Sequence, residues 1–379
     1  MISTLKEVRH AYGFEDVSIV PGAVTVNPEQ ADLGLTIGNL QFSIPIIASA
    51  MDAVVSPSFA VQLGKMGGLG VLNMEGLYSR YVDAPEKVAE IAEASPSSAT
   101  GILQSLYQEP IKESLVAERV EQIHKSGAIC AVSFTPQNTK RLGPVAVEAG
   151  ADILVVQSTV TTARHISKSY HGLVLSELVE QINVPVMVGN CVTYGATLEL
   201  MESGVAAVLV GVGPGAACTT REVTGVGVPQ VTATLDCSAA REEYYRRTGR
   251  RVAIITDGGI RTGGDMCKSI VAGADGVMIG TPFAQTEEAP GKGFNWGMAT
   301  PHAALPRGIR INTGTKGTLE QLLFGPTSRT DGTQNLVGAL RVCMGMCGAL
   351  SIQELQQTEM VVAPAIATEG KAFQIAGSI

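Results

Sequence analysis

Short apolar runs recur along the chain, and most are separated by segments with helical spacing of polar positions. The runs are IPIIAS (44–49), GLGVLN (68–73), AICAVSF (128–134), DILVVQS (152–158), VPVMVGN (184–190), AAVLVGVG (206–213), VAIITDGG (252–259) and GVMIG (276–280). They are too apolar for strands with one face in water, which indicates a parallel sheet covered by helices. Eight such strands predict a (β/α)8 barrel, an α/β fold, with a doubly wound sheet as the alternative.

Polar or small residues stand at the ends of these runs. In a barrel the carboxyl ends of the strands meet at one rim, where barrel enzymes carry their chemistry. The residues at or just beyond the ends are Ser49, Asn73, Gln157, Asn190, Cys218, Asp257 and Gly280. Any one of them is explained as a turn former. Seven at one rim predict a functional site.

Composition and charge narrow the ligand class. Aromatic residues make up only 4% of the 379 residues, so the core must be aliphatic. The net charge is −8 and no long basic run occurs, which argues against a nucleic-acid partner. A phosphate group would have to be held by backbone amides rather than by a basic patch.

The cysteines and the termini indicate the cellular setting. Neither a signal-peptide core nor an apolar stretch of about 20 residues is present, so no membrane association is predicted. Seven cysteines occur without a CxxC pair or zinc-like spacing. We therefore predict a reduced, cytoplasmic setting.

The organisation of the chain predicts one catalytic domain over residues 1–379, because no repeat or linker divides it. Residues 80–125 predict an extra helical connection between the second and third strands, too short for an independent regulatory domain. Residues 290–315 are rich in Gly and Pro and predict a loop over the barrel mouth.

The run GVGPGAACTTREVTGVGVP (211–229) surrounds Cys218 with glycines. A Rossmann phosphate loop is excluded, because such a loop requires a helix directly after the glycines and TGVGVP follows here. A buried thiol with a packing role is a second interpretation. Small and polar neighbours favour an accessible nucleophile instead, with Gly213 and Gly215 allowing a flat ligand to approach.

This run resembles the active-site loop of the IMP dehydrogenase/GMP reductase family. The likeness continues through EDVSIVPG (15–22), IPIIASAMDAVVSPSFAVQLGKMGGLGVLN (44–73), VMVGNCVT (186–193), DGGIRTGGDMCKSIVAGADGVMIG (257–280), TEEAPG (286–291) and LVGALRVCMGMCGA (336–349). The resemblance covers most of the chain in order. It implies a (β/α)8 barrel that forms a homotetramer, with an octamer left open, and a purine mononucleotide (GMP or IMP) as substrate.

The resemblance also implies roles at single positions. Cys218 matches the nucleophile that attacks C2 of the purine to give a thioimidate, and Thr220 matches the threonine that helps to move protons. Asp257 matches the carboxylate that binds the ribose hydroxyls, although a helix cap is its competing interpretation. The other implied nucleotide contacts are Ser49, Met51, Gly215, Gly259, Gly280, Thr281 and Met298.

The implied cofactor is a nicotinamide dinucleotide. Its site would contain Gln157, Ser158, Asn190, Gly211 and Gly213. The carbonyl groups of Gly213, Gly215 and Cys218 match the family's potassium site.

The direction of the reaction depends on the mouth loop. Only PHAAL (301–305) separates GMAT (297–300) from PRGI (306–309), so the mobile flap with which the family's dehydrogenases activate water is missing. Because a positioned general base is worth about 10²–10⁴-fold, its loss favours GMP reductase with NADPH. IMP dehydrogenase with NAD and a non-catalytic nucleotide-binding relative are the alternatives.

Several departures from the family pattern complicate this choice. Arg307 aligns with the glutamate that helps to protonate the leaving ammonia, and Glu222 or Glu288 would have to substitute for that glutamate. A dehydrogenase would need a different water activator, such as Arg307 or Arg310. Gln157 replaces the aspartate that meets the cofactor ribose, which favours a phosphorylated nicotinamide.

Overall fold

The computed structural model describes residues 8–166, 172–297 and 309–363. Its centre is a closed barrel of parallel strands, each hydrogen-bonded to the strands before and after it in sequence. The strands are β1 (Ile46–Ala48), β2 (Leu69–Asn73), β3 (Ala131–Phe134), β4 (Ile153–Gln157), β5 (Val186–Cys191), β6 (Ala207–Val210), β7 (Ala253–Asp257) and β8 (Gly276–Ile279). Each strand falls on one of the eight apolar runs. The (β/α)8 prediction is confirmed, and the doubly wound alternative is wrong.

Helices surround the barrel and cover its outer face. Within the described residues they are α1 (Pro57–Lys65), α2 (Ala84–Glu93), α3 (Ala99–Leu106), α4 (Glu113–His124), α5 (Pro136–Glu148), α6 (Leu175–Gln181), α7 (Tyr194–Glu202), α8 (Thr220–Thr224), α9 (Gln230–Thr248), α10 (Gly263–Val271), α11 (Thr281–Ala284), α12 (Leu319–Leu323), α13 (Leu336–Cys347) and α14 (Ile352–Leu355). None of these helices has both the length and the apolar character that crossing a membrane requires.

Three short antiparallel pairs accompany the barrel. Val17–Ile19 pairs with Met360–Val362, and Leu35–Ile37 pairs with Leu40–Phe42. Phe294–Trp296 pairs with Arg310–Asn312, and we call this pair the mouth hairpin. The strands of the mouth hairpin flank residues 298–308, which lie outside the described part of the chain.

The apolar runs are explained by burial on both faces of each strand. Ile46 and Ala48 of β1 belong to the larger apolar cluster, whereas Ile47 between them belongs to a second, smaller cluster. Val71 and Leu72 of β2 divide between the clusters in the same way. Because successive side chains point to opposite faces, a strand packed on both sides cannot show a polar alternation.

A buried ion pair ties α9 to the strand that carries Asp257. Arg241 of α9 donates from Nη1 to Asp275 Oδ2 over 2.6 Å, and both residues are buried. The same carboxylate oxygen accepts the backbone N–H of Ile254 in β7 at 2.9 Å. A buried charge of this kind is tolerated only when it is paired and fully hydrogen-bonded. The pair therefore fixes α9 against β7 and the start of β8.

Helices α2, α3 and α4 connect β2 to β3, and α2 and α3 turn towards the mouth hairpin. Arg310 of that hairpin donates from Nη1 to the carbonyl groups of Ile91 and Ala92, at 2.6 and 2.7 Å. Its guanidinium also lies 4.2 Å from the centre of the Phe294 ring. The helical connection therefore supports the mouth of the barrel as well as joining two strands.

Candidate functional site

Cys218 lies on the loop that follows β6, and its thiol is half-buried. The thiol donates to the hydroxyl oxygen of Thr220 at 3.2 Å. The Cys218 backbone N–H donates to the carbonyl of Gly215 at 3.0 Å, which forms a tight turn before the thiol. A half-exposed thiol next to a hydroxyl group differs from the fully buried Cys130 and is open to an incoming electrophile.

Arg221 holds the two ends of this loop together. Its Nε donates to the carbonyl of Val212 at 3.0 Å, and its Nη2 donates to the carbonyl of Val228 at 2.6 Å. Gly213 makes this possible, because its φ is +73° and a methyl group in place of its hydrogen would lie 2.5 Å from Arg221 Cγ. The glycine is thus required by the clamp as well as by the backbone conformation.

Gly211 is buried beneath the loop. A methyl group on it would lie 2.2 Å from the carbonyl oxygen of Asp257 and 2.9 Å from Gln230 Nε2. Gln230 uses this space to bridge two strand ends, donating to the carbonyl of Val210 at 2.6 Å and to that of Asp257 at 3.1 Å. The structure therefore requires glycine at position 211 for packing, and the cofactor contact that the resemblance implied stays a prediction.

Three side chains at the ends of β4, β5 and β7 form one hydrogen-bonded cluster. Asp257 Oδ2 accepts from Asn190 Nδ2 at 2.7 Å and from Gln157 Nε2 at 3.0 Å. Gln157 Nε2 also lies 2.9 Å from Asn190 Oδ1. Burial raises the pKa of Asp257 to about 6, and the two amide donors oppose that rise. A helix-cap role for Asp257 is wrong, because Thr262 caps α10.

Ser158 lies beside this cluster. The backbone N–H of Asn190 donates to the carbonyl of Ser158 at 3.1 Å, and the Ser158 N–H donates to the Gly189 carbonyl at 2.9 Å. The Ser158 hydroxyl is directed away from Asp257, towards the carbonyl of Val160 at 2.9 Å. Gln157, Ser158 and Asn190 thus form a continuous polar stretch at the ends of β4 and β5. The stretch contains both hydrogen-bond donors and acceptors.

The loops after β6 and β7 touch each other. Gly258 and Gly259 have φ angles of +87° and +79°. A methyl group on Gly258 would lie 3.0 Å from Pro214 Cγ, and one on Gly259 would lie 3.2 Å from Pro214 Cβ. Gly215 is also close to Gly258, since the same Gly258 methyl group would lie 3.4 Å from its backbone nitrogen. The contact brings the Cys218 loop next to the segment that begins with Asp257.

Gly280 faces the residues that end β1. A methyl group on Gly280 would lie 3.2 Å from Met51 Sδ and 3.6 Å from Ser49 Oγ. The Ser49 N–H donates to the carbonyl of Ile279 at 2.9 Å. Met51 is half-buried, so it is not a plain core residue. Thr281 opens α11, whose first backbone amides have no partner within the helix.

Some residues singled out from the sequence lie elsewhere. Met298 and Arg307 fall outside the described residues. Glu288 accepts the backbone N–H of Leu319 with one carboxylate oxygen at 2.8 Å. Arg310 donates from Nη1 to the end of α2. Glu222 is exposed on α8.

Sequence reasoning missed Asp52, which follows Met51. Its Oδ2 accepts the hydroxyl of Tyr107 at 2.5 Å and the backbone N–H of Leu77 at 2.7 Å. Burial raises the pKa of Asp52 to about 6. Tyr107 lies in the helical connection, 55 positions away. No local spacing in the sequence could have paired the two residues.

In the part of the chain that the structure covers, no group of three His, Cys, Asp or Glu residues is arranged to hold an ion. The side chains there give no support for a metal site. The carbonyl groups of Gly213, Gly215 and Cys218 belong to the loop before the thiol. That of Gly215 already accepts one hydrogen bond from Cys218. A carbonyl oxygen has a second lone pair, so this bond leaves room for an ion.

Together the fold and the rim define a class of protein, a (β/α)8 barrel with a cysteine-bearing loop beside a half-buried carboxylate. Comparison with known proteins makes the assignment specific. A model of the IMP dehydrogenase / GMP reductase domain matches residues 11–372. The chain therefore belongs to the IMP dehydrogenase/GMP reductase family of oxidoreductases, which act on purine mononucleotides with a nicotinamide cofactor.

Individual relatives agree with this assignment. An uncharacterized oxidoreductase of Mycolicibacterium smegmatis is 39% identical over 366 residues, covering 94% of this chain and 98% of its own length. An inosine-5'-monophosphate dehydrogenase of Cryptosporidium parvum is 31% identical, covering 92% and 91%. The crystal structure of an IMP dehydrogenase/GMP reductase-like protein from Corynebacterium glutamicum matches with a TM-score of 0.89 and 36% identity, over 96% of this chain and 97% of that one.

Proposed function

We propose that the protein exchanges a hydride at C2 of a purine mononucleotide through a covalent adduct with Cys218. One observation carries the proposal: the half-exposed Cys218 thiol, bonded to Thr220, lies on a loop that contacts the segment beginning with Asp257. A purely nucleotide-binding relative would have no need of an accessible thiol. The nicotinamide, when bound, supplies or accepts the hydride.

The residues of the chain have separate tasks in this scheme. The Cys218 sulfur forms a bond to C2, and its proton leaves through the hydroxyl of Thr220. Asp257 accepts hydrogen bonds from the ribose hydroxyls, which holds C2 over the thiol. Gly259, Gly280 and Thr281 hold the phosphate with backbone amides and a hydroxyl group. Ser49 and Met51 line the nucleotide, and Gln157, Ser158 and Asn190 hold the nicotinamide side.

Reduction of GMP with NADPH is the first candidate for the direction. The bond from C2 to the exocyclic nitrogen breaks and ammonia leaves, a hydride then adds to C2, and the bond from sulfur to C2 breaks to release IMP. The short span between GMAT and PRGI supports this direction. Without a water-activating flap, hydrolysis of the adduct would be slow.

Oxidation of IMP with NAD is the second candidate, and a different observation favours it. The reported relative with a named reaction, from Cryptosporidium parvum, is an inosine-5'-monophosphate dehydrogenase. Glu288, a candidate to replace the glutamate that assists ammonia release, already holds the Leu319 N–H with one of its two oxygens. In this direction the hydride leaves C2, water adds to the adduct, and the bond from sulfur to C2 breaks to release XMP.

The family resemblance supports further proposals about the whole molecule. Residues 1–379 act as one catalytic domain in the cytoplasm, as a homotetramer. The carbonyl groups of Gly213, Gly215 and Cys218 hold a potassium ion next to the thiol. Titration of activity with KCl against NaCl, together with light scattering of the purified protein, tests these proposals.

Two assays followed by nicotinamide absorbance test the function. One mixture contains GMP with NADPH, and the other contains IMP with NAD. Loss of NADPH with formation of IMP and ammonia establishes the reductase, whereas gain of NADH with XMP establishes the dehydrogenase. Cys218→Ala must abolish either signal, and Cys343→Ala, which alters another half-buried cysteine, must retain it. Nucleotide binding without turnover in both mixtures would refute the enzymatic proposal.

A further inference from the structure

The hydroxyl of Tyr107 joins two buried polar groups from distant parts of the chain. It donates to Asp52 Oδ2 at 2.5 Å and accepts the indole N–H of Trp296 at 3.0 Å. Trp296 is fully buried and is the only tryptophan in the sequence. Asp52 follows the end of β1, Tyr107 ends α3, and Trp296 belongs to the mouth hairpin.

The strand that contains Trp296 touches the proposed catalytic site on both sides. On one side Asn295 Nδ2 lies 3.9 Å from Met51 Sδ. On the other side a methyl group on Gly297 would lie 3.0 Å from the carbonyl oxygen of Ala217, the residue before Cys218. A displacement of Trp296 would therefore move the neighbours of both Met51 and the Cys218 loop.

We propose that Tyr107 is a positioning residue that fixes Trp296, and through Gly297 holds the Cys218 loop in place. The helical connection between β2 and β3 thereby contributes to the site without touching the substrate. This role does not depend on whether the protein reduces GMP or oxidises IMP. It rests on the proposed function only in treating Cys218 as the nucleophile.

The Tyr107 hydroxyl group matters because the two groups that it bonds to are buried. Without it the indole N–H of Trp296 would lose its acceptor and Asp52 would lose one of its two donors, and both of these side chains are fully buried. Asp52 Oδ1 already has no hydrogen-bond partner among the described atoms. Tyr107 therefore provides a hydrogen-bond partner to both buried groups and links the mouth hairpin to Asp52.

Burial raises the pKa of Asp52, and the hydrogen bonds that its carboxylate accepts, together with nearby Arg80 and Asn73, oppose that rise. Tyr78 and Tyr107 face this carboxyl with phenol groups whose pKa values burial raises. Both phenols therefore stay protonated at neutral pH. Tyr107 remains a donor to Asp52 and an acceptor for Trp296 throughout that range.

Tyr107→Phe tests the role, with Tyr81→Phe as a matched control. Tyr81 belongs to the same connection, and its hydroxyl donates to the carbonyl of Leu106 at 3.0 Å without reaching Trp296. The first measurement is the emission maximum of Trp296, which reports one residue. The second is the rate at which iodoacetamide alkylates Cys218, followed by peptide mass spectrometry with Cys343 as the internal reference.

Tyr107→Phe should shift the emission to shorter wavelength and change the alkylation rate of Cys218 by about 2- to 10-fold, the range of one neutral hydrogen bond. Tyr81→Phe should change neither. Trp296→Phe should change alkylation to a similar extent, and the double variant should change it no further, because both substitutions break one link. Unchanged alkylation in Tyr107→Phe, or equal changes in Tyr81→Phe, would overturn the proposal. Neither readout requires nucleotide turnover, so failure of the proposed function would be recognised separately.

Discussion

Asn190 donates from its side-chain amide to the carboxylate of Asp257 over 2.7 Å, although the two residues are 67 positions apart. Barrel closure produces this contact by bringing the ends of β5 and β7 to one rim. The amide does not return the Asp257 pKa to its ordinary value, since burial still raises it to about 6. The site therefore contains a carboxyl group that titrates close to physiological pH.

Nucleotide binding should depend on the ionisation of Asp257. The proposed contact to the ribose hydroxyls requires the carboxylate, which is present above the folded-state pKa of about 6 and lost as the pH falls through it. Calorimetric affinity for GMP or IMP should thus fall about tenfold per unit below that pKa. In Asp257→Asn the affinity should be lower at neutral pH and this dependence should disappear. A wild-type affinity that stays constant from pH 5 to 8 would contradict the role.

Gln157→Met should move the pH midpoint at which nucleotide affinity is lost to a higher value. The variant removes one donor to the Asp257 carboxylate, and a hydrogen bond to a charged group is worth about 1.5–3 kcal/mol, so the midpoint should rise by about one to two pH units. Ser158→Ala is the matched control, because its hydroxyl bonds to Val160 and not to Asp257. If both variants shift the midpoint equally, the donor from Gln157 does not tune the carboxyl group.

Gly213→Ala should disturb the Cys218 loop more than Gly225→Ala. The φ angles of these glycines are +73° and +70°, so both substitutions carry the same left-handed backbone penalty of about 1–2 kcal/mol. Only Gly213 has Arg221 Cγ within 2.5 Å of the new methyl group, whereas the space at Gly225 is open. Thermal unfolding should show the larger loss for Gly213→Ala, and the alkylation rate of Cys218 should change in that variant alone. Equal losses would mean that backbone conformation, and not the clamp, decides the effect.

Arg221→Met should open the loop and reduce any Cys218-dependent turnover. It removes donors to the Val212 and Val228 carbonyl groups, at a cost of about 1–3 kcal/mol in the free energy of unfolding or loop closure. Arg247→Met provides the comparison, because its ion pair with Glu202 is solvent-exposed and worth about 0–1 kcal/mol. Retention of wild-type kcat in Arg221→Met would show that the loop keeps its shape without the clamp.

The fold was accessible from the sequence because strands packed on both faces must be apolar throughout. The run containing Ile254 and Ile255 could be predicted as a strand without knowing which strands lie beside it. Its polar end at Asp257 then predicted a site residue at the rim. The Cys218 loop was accessible for a similar reason, since glycines around a cysteine are a local pattern. Each of these inferences depended on residues close together in the chain.

Partnerships across the chain were not accessible in this way. Glu288 and Arg310 had the side chains needed for proton transfer and water activation, yet the structure uses one to hold Leu319 and the other to hold the end of α2. The bond from Tyr107 to Asp52 crosses 55 positions. Such pairings depend on how α2, α3 and the mouth hairpin pack together. This packing produces no periodic pattern of residues in the sequence.

The turn between α2 and α3 is a position at which the barrel could accept an inserted regulatory segment. Its residues 95–98 are exposed, while α2 is bonded to the mouth hairpin through Arg310 and α3 through Tyr107. A segment inserted into this turn would leave the eight barrel strands unchanged. Because both flanking helices contact the mouth hairpin, an insertion that displaces either helix should change the alkylation rate of Cys218.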